Sequence, residues 1–549
     1  DIFMGPGAVL YGTGFVFKNC IVQGRCGMWQ GINVRTHGLI EATDVNFSDA
    51  EYCISIFDVE LWLRLKNVQF TRNFVSIYAP ATTVENSFKY SIIPSHSSII
   101  EDCLFEGLPL ITLPPYFGQW GIPQGQKSFA GMLLNNLTAP VLQGSPFDRI
   151  YLIPFSNDPA YQNYFRQINF GIYAINSHIE VFNCTFIRVQ PEPAYVLSRR
   201  DIGGIGIYSK GIIGTSPRLL NVGDENDAAR ALNFQNIFED CHRGIVTLNR
   251  INSKINKNYF LHTSSSIFKS GLDVYLKDAD QSSISIRENI FEERNVQLSN
   301  AGPYPSTGIV VSSIAPTIKI LHIDSNEFFN KKVGIFVQNT KGRSYSDARF
   351  LIENNDFTTD VSPNQLSTYG AIFGIWLSNS SNGVIRYNNM MRPVPLNAEP
   401  SNYENMVYGM NIVGSTNMNI AANDITQYGT SFRMVSNCNG TTLKCNDIIA
   451  NVQGISLANA GMTSQGYSGE AWDNKWDGFP TPSMTTYNRA KGSATSLISW
   501  YNQGQPNDIS VNNRYSPEPV ENAIIYPHAY ENTAGCYVNS PYPGDVESR

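Results

Sequence analysis

One short frame recurs along this chain: an apolar residue, two further residues, Asn, any residue, then an aromatic. Ile286-Arg-Glu-Asn289-Ile-Phe291, Ile323-Asp-Ser-Asn326-Glu-Phe328 and Ile352-Glu-Asn-Asn355-Asp-Phe357 carry it in full. Weaker copies end at Ile21, Phe47, Phe70, Phe105, Phe186, Phe238, Phe260, Met390, Ile425 and Ile448. From Phe238 to Ile448 successive anchors lie 22 to 37 residues apart, so the content repeats while the loops vary. A second short strand follows most anchors, as in Gly334-Ile-Phe-Val337, Gly374-Ile-Trp-Leu377, Gly409-Met-Asn-Ile412 and Gly454-Ile-Ser-Leu457. Each alternates and is β-branched or aromatic, as a short strand should be.

A single turn of this kind has an apolar inner side and nothing to bury it against. Stacking turns at the strand spacing of about 4.8 Å makes one continuous core. Asn fits the corner because it tolerates a left-handed backbone and because stacked Asn side chains bond from turn to turn. Asn236, Asn258, Asn289, Asn326, Asn355, Asn388, Asn423 and Asn446 are therefore expected in one file, with Phe238, Phe260, Phe291, Phe328 and Phe357 stacked inside. Cys103 and Cys184 hold the corner position before Phe105 and Phe186.

The frame resembles the repeat of the pectin-lyase-like right-handed β-helix superfamily. In that family the Gly-Ile strand belongs to the first sheet, the strand before Asn to the second, and the Phe to the third. The expected fold is an all-β, right-handed parallel β-helix solenoid of about 12 to 14 turns. It would span residues 1–459, with a long insertion around 106–170, and 460–549 would form a C-terminal cap or small appended region. The motif specifies fold well and function poorly, since enzymes, adhesins and phage spikes share it. Near the start, Cys26-Gly-Met-Trp-Gln-Gly-Ile-Asn-Val34 resembles a segment of large secreted β-helix proteins of gliding bacteria that use type IX secretion. That resemblance implies an extracellular or cell-surface location and contact with secretion machinery, and the first residues read as a cut inside a longer polypeptide.

Composition removes other classes. Charged residues make up only 15% of the chain beside 28 Tyr and 30 Phe, too apolar a balance for disorder. The net charge is -7 and no Lys/Arg cluster stands out, which argues against nucleic acid as a partner. No apolar run is long enough for a transmembrane segment. No Cys/His set has zinc spacing, so neither a metal nor a cofactor is expected. The nine cysteines are an odd number, and Cys438 with Cys445, like Cys20 with Cys26, are near enough in sequence to pair.

If the residue after Gly points inward, the next points outward. Along the first sheet that gives Ser55, Tyr78, Val246, Val310, Phe336, Trp376, Asn411, Arg433 and Ser456, without one carboxylate. Glycoside cleavage by acid and base requires two carboxyl groups about 5 to 9.5 Å apart. The expectation is thus a non-catalytic secreted or cell-surface protein: an adhesin, a structural rod or a type IX secretion cargo. Phe336, Trp376, Asn411 and Arg433 are its candidate binding residues, for a polysaccharide or another cell-surface partner. The alternative is a polysaccharide lyase or glycoside hydrolase with its chemistry in long loops, where Glu239-Asp240 and Glu292-Glu293 are the carboxylate pairs and His242 stands near the first sheet.

Overall fold

The computed structural model describes residues 1–56, 61–79, 99–114, 125–135, 150–152, 162–177, 179–191, 203–211, 219–223, 235–250, 252–263, 272–278, 283–294, 306–313, 320–342, 350–361, 370–393, 405–467, 472, 474–477, 489–503, 518–519 and 525–530. The chain forms two compact units, Asp1–Ala279 and Asp280–Arg549. Among the described residues there is no helix, and in both units the strands pair in parallel as turns of a right-handed β-helix.

Three strands make a turn. In the second unit Val333–Gln338, Phe350–Glu353 and Asp356–Thr358 are followed by Ile372–Ser378, Val384–Arg386 and Asn389–Met391. Each pairs with its counterpart one turn on, through Ile335↔Ile375, Ile352↔Ile385 and Phe357↔Met390. These positions are all buried, so inward side chains from each strand of each turn build the core.

The third sheet carries the aromatic stack. In the first unit Phe47, Phe70, Phe105, Phe165, Phe186, Phe238 and Phe260 follow one another with ring centroids 4.5 to 5.7 Å apart. In the second, Phe291, Phe328 and Phe357 stack at 4.8 and 4.7 Å. This stack explains the Gly of the other motif. A Cβ on Gly334 would lie 2.4 Å from the Phe357 ring, and one on Gly206 2.9 Å from Phe238. The Gly and the Phe are two halves of one packing requirement.

The Asn residues form a hydrogen-bonded file in each unit. In the second, Asn289 Nδ2 donates to Asn326 Oδ1, and the same bond of 2.7 to 2.9 Å links Asn326 to Asn355, Asn388, Asn423, Asn446 and Asn474 in turn. In the first, Asn236 donates to Asn258, and Cys184 N–H donates to Asn236 Oδ1. The left-handed residue is not the Asn. It is the residue before it: Glu288, Ser325, Asn354, Tyr387, Ala422 and Cys445 have φ between 51° and 58°. Asn is selected for its side-chain amide, which satisfies buried backbone groups of neighbouring turns.

The stretch 106–170 supplies a complete turn, with Phe165 in the aromatic stack and Asn163 Oδ1 accepting from Cys103 N–H. Tyr116, Phe117 and Trp120 lie outside the described residues. Strand pairing also runs past residue 459, where Trp476 pairs with Ile448 and Ala490 with Ile455. The pairing of Cys438 with Cys445 is corrected: Cys445 is disulfide-bonded, whereas Cys438 is a free, buried thiol, as are Cys53, Cys103, Cys184 and Cys241. Cys438 Sγ instead donates to the Ile412 and Val435 carbonyls, a small inward side chain filling a corner. Cys20 and Cys26 are free as well.

Candidate functional site

Backbone register aligns the outward side chains of the first sheet. In the second unit Val310 pairs with Phe336, Phe336 with Trp376, Trp376 with Asn411, Asn411 with Arg433, Arg433 with Ser456 and Ser456 with Lys491. Phe336, Trp376, Asn411 and Arg433 therefore share one column on consecutive turns. The Phe336 and Trp376 rings are 4.8 Å apart and tilted by 40°. A parallel column, which the sequence pattern did not single out, adds Phe373 and Tyr408: Phe373 lies 4.8 Å from Trp376 and stacks on Tyr408 at 5.0 Å. The signal for both was their place just before the Gly of each motif, where the chain turns outward.

The polar end of the column is built from donors. Arg433 lies over the Tyr408 ring at 5.4 Å and donates from Nη1 to Asn411 Oδ1 at 3.0 Å. Asn411 is 1% exposed, and its Nδ2 meets no acceptor among the described residues. Trp376 Nε1 is likewise buried without one. A buried donor left unpaired costs about 1 to 3 kcal/mol, so two side by side call for an acceptor. Burial holds the Tyr408 phenol above its usual range, against the nearby Arg433, so it stays a neutral donor.

A second cluster, missed in the sequence, lies on the second sheet. Arg287 pairs in register with Asp324, Asp324 with Glu353, and Glu353 with Arg386. Arg287 Nε donates to Asp324 Oδ2 at 2.9 Å and Arg386 Nε to Glu353 Oε2 at 2.8 Å. His322 Nε2 lies 2.9 Å from Glu353 Oε1 and 3.9 Å from Asp324 Oδ2. Their ligand atoms fall within 4.8 Å of one another, near enough for a cation. The charge count decides otherwise. Two carboxylates already face two guanidinium groups, and a dication would add charge to a neutral cluster. Burial alone would raise the Asp324 carboxyl, but hydrogen bonds from Asn354 and Ser325 and the Arg287 charge outweigh it and hold it below 3.8. Glu353 is likewise pushed up by burial and pulled below 4.5 by His322 and Arg386. A general acid needs the opposite shift.

Of the four carboxylates expected in loops, Glu239, Glu292 and Glu293 instead lie at the ends of the strands Asn236–Glu239 and Ile290–Glu293, and three of the four are engaged. Asp240 accepts from Thr263 N and Oγ1, Glu292 pairs with Arg294, and Glu293 accepts from Ser306. His242 is half-buried just ahead of the strand Arg243–Leu248.

No family model and no curated protein matches this chain. Among solved structures it is similar to the periplasmic alginate epimerase AlgG, at 10% identity and a TM-score of 0.30, covering 87% of this chain and 77% of that one. An aspartate-to-alanine mutant of the same epimerase gives 11% and 0.27 over the same shares. A threonine-to-asparagine mutant gives 9% and 0.23, over 93% and 76%.

Proposed function

We propose that this protein is a non-catalytic, exported β-helix that attaches to a carbohydrate chain through the outer face of the first sheet of its second unit. One observation carries the reading: register places Phe336, Trp376, Asn411 and Arg433 in a single column, so an aromatic strip runs directly into hydrogen-bond donors. Aromatic faces take the C–H faces of pyranose rings, while fixed polar groups set orientation. Turns rise by about 4.8 Å, a repeat along which an extended polymer can lie. The described outward positions of this sheet offer no carboxylate pair, and Asp324 and Glu353 are committed to arginines, which favours binding over cleavage.

The test is a panel of immobilised polysaccharides incubated with wild type and with the Phe336→Ser, Trp376→Ser double variant. Retention of wild type on at least one polymer, lost in the variant, with no new reducing or unsaturated ends, is the expected result. Release of such ends would favour the lyase or hydrolase reading. Retention of both proteins alike would move attachment elsewhere.

A further inference from the structure

We infer that the outer face of the third sheet in the second unit is a docking surface for a basic amphipathic helix laid along the solenoid axis. This face is separate from the first-sheet column and does not depend on the carbohydrate reading. Over five consecutive turns it carries two outward columns side by side. Glu327, Asp356, Asn389, Asp424 and Asp447 form one, and Phe329, Thr358, Met391, Thr426 and Ile449 form the other. Elsewhere in this unit outer positions are covered: Val310 and Asn411 on the first sheet are buried, as are Leu351 and Val384 on the second. The third-sheet face is open, with Glu327, Asp356, Asn389 and Asp424 exposed and Met391 at 42% exposure. An apolar column left open to water marks a contact surface.

Charge identifies what covers it. The first column holds four carboxylates and no cation, and the pairings Glu327↔Asp356 and Asp424↔Asp447 set like charges directly opposite each other on adjacent strands. Such pairs weaken a sheet. The solenoid does not require them, because the same column of the first unit runs through Leu104, Tyr164, Thr185, Ile237 and Tyr259 without a carboxylate. Asn389 Nδ2 donates to Asp356 Oδ1 at 3.1 Å and parts the two acidic pairs, which spreads negative charge along the column. A complementary partner carries a row of cations beside a row of apolar side chains. The spacing selects a helix: one of its edges presents a side chain about every 5.4 Å, close to the strand spacing of about 4.8 Å, whereas an extended chain presents one about every 6.6 Å. Five turns span about 19 Å, the length of a helix of about 13 residues. Long lysine stems absorb the small difference in pitch.

The test measures binding of the full chain to a helical peptide of about 14 residues, with lysine at the first, fifth, eighth and twelfth positions and leucine after each, on an alanine and glutamine background. Its controls are a scramble of the same composition and a copy with serine in place of leucine. The expected result is affinity about tenfold higher than for either control, reduced about tenfold by Glu327→Gln with Asp356→Asn. Met391→Ser should weaken binding severalfold, and the thermal transition of each variant should stay in place. All three side chains are exposed, and Met391→Ser tests the surface without touching its charges. Designed and scrambled peptides binding alike would overturn the docking surface as diffuse charge attraction. Binding that survives all three substitutions, or no binding to any peptide, would overturn it as well. A thermal shift caused by Ca2+ alone, present in wild type and absent from the Glu327→Gln, Asp356→Asn chain, would make the acidic column an ion site and overturn the helix.

Discussion

The outer faces of the first sheet differ between the two units, although within each the strands pair in the same parallel pattern. In the first unit Ser55, Tyr78, Leu133, Tyr173, Tyr208, Val246 and Tyr275 run in one column without a charged side chain. Tyr173 and Tyr208 stack at 4.7 Å and 19°, and Tyr208 is only 6% exposed, packed with Phe170, Ile205 and Val246. In the second unit the aromatic run stops after Trp376, and Asn411 and Arg433 take over. Rings that spend both faces on each other stabilise a sheet. Rings that adjoin unpaired donors leave an interaction unfinished. The same solenoid position thus serves packing in one unit and, under the proposed function, recognition in the other.

The comparison breaks most visibly if the two aromatic pairs are exchanged in role. Tyr173→Ser with Tyr208→Ser should cost about 3 to 5 kcal/mol of stability through lost burial and lost stacking, read by denaturant unfolding, while polysaccharide retention of the folded fraction stays at the wild-type level. Phe336→Ser with Trp376→Ser should do the reverse. Attachment falls about a hundredfold, equal to about 2.7 kcal/mol, and the half-buried rings cost only about 1 to 2 kcal/mol of stability.

Acid provides a smaller effect confined to the second unit. Asp324 and Glu353 have folded pKa values held below their ordinary 3.8 and 4.5. Their contribution is therefore present above those values and fades as pH falls through the lowered ones. Wild type should lose stability below about pH 4.5, and Asp324→Asn should flatten that loss in a melting-temperature series between pH 6 and pH 3. The smallest effect is an expected null. Because Arg287 and Arg386 already balance the cluster, adding Zn2+ or EDTA should move the melting temperature by less than about 1 °C. A metal-dependent rise would show that His322, Asp324 and Glu353 release their arginines to bind an ion.

Much of this architecture was legible because solenoid packing acts on short local frames. Asn326 and Phe328 sit two residues apart, so one corner bond and one ring identify the strand end wherever they recur. Gly-Ile-x marked Phe336 and Trp376 as outward, Gly409-Met410-Asn411 and Ser431-Phe432-Arg433 hold the equivalent places, and their register follows from the turns between. Gly171-Ile-Tyr173 and Gly206-Ile-Tyr208 carry the same signal, but the long gaps around them break the spacing that makes it readable. What lay beyond the sequence was pairing across turns. Arg287, Asp324, Glu353 and Arg386 are 29 to 37 residues apart, and only the loop lengths between turns bring them together. Cys438 and Cys445 failed for a related reason. Seven residues of separation suggested a bridge, but Cys438 points into the core while Cys445 holds a left-handed corner.

The most direct test of the division between the two faces is hydroxyl-radical footprinting of the full chain with and without a saturating bound polysaccharide. The account predicts protection of Phe336, Trp376 and Phe373, with Tyr78, Tyr173 and Tyr275 oxidised at the same rate in both states. Protection of the first-unit tyrosines, with Trp376 unchanged under saturation, would contradict it.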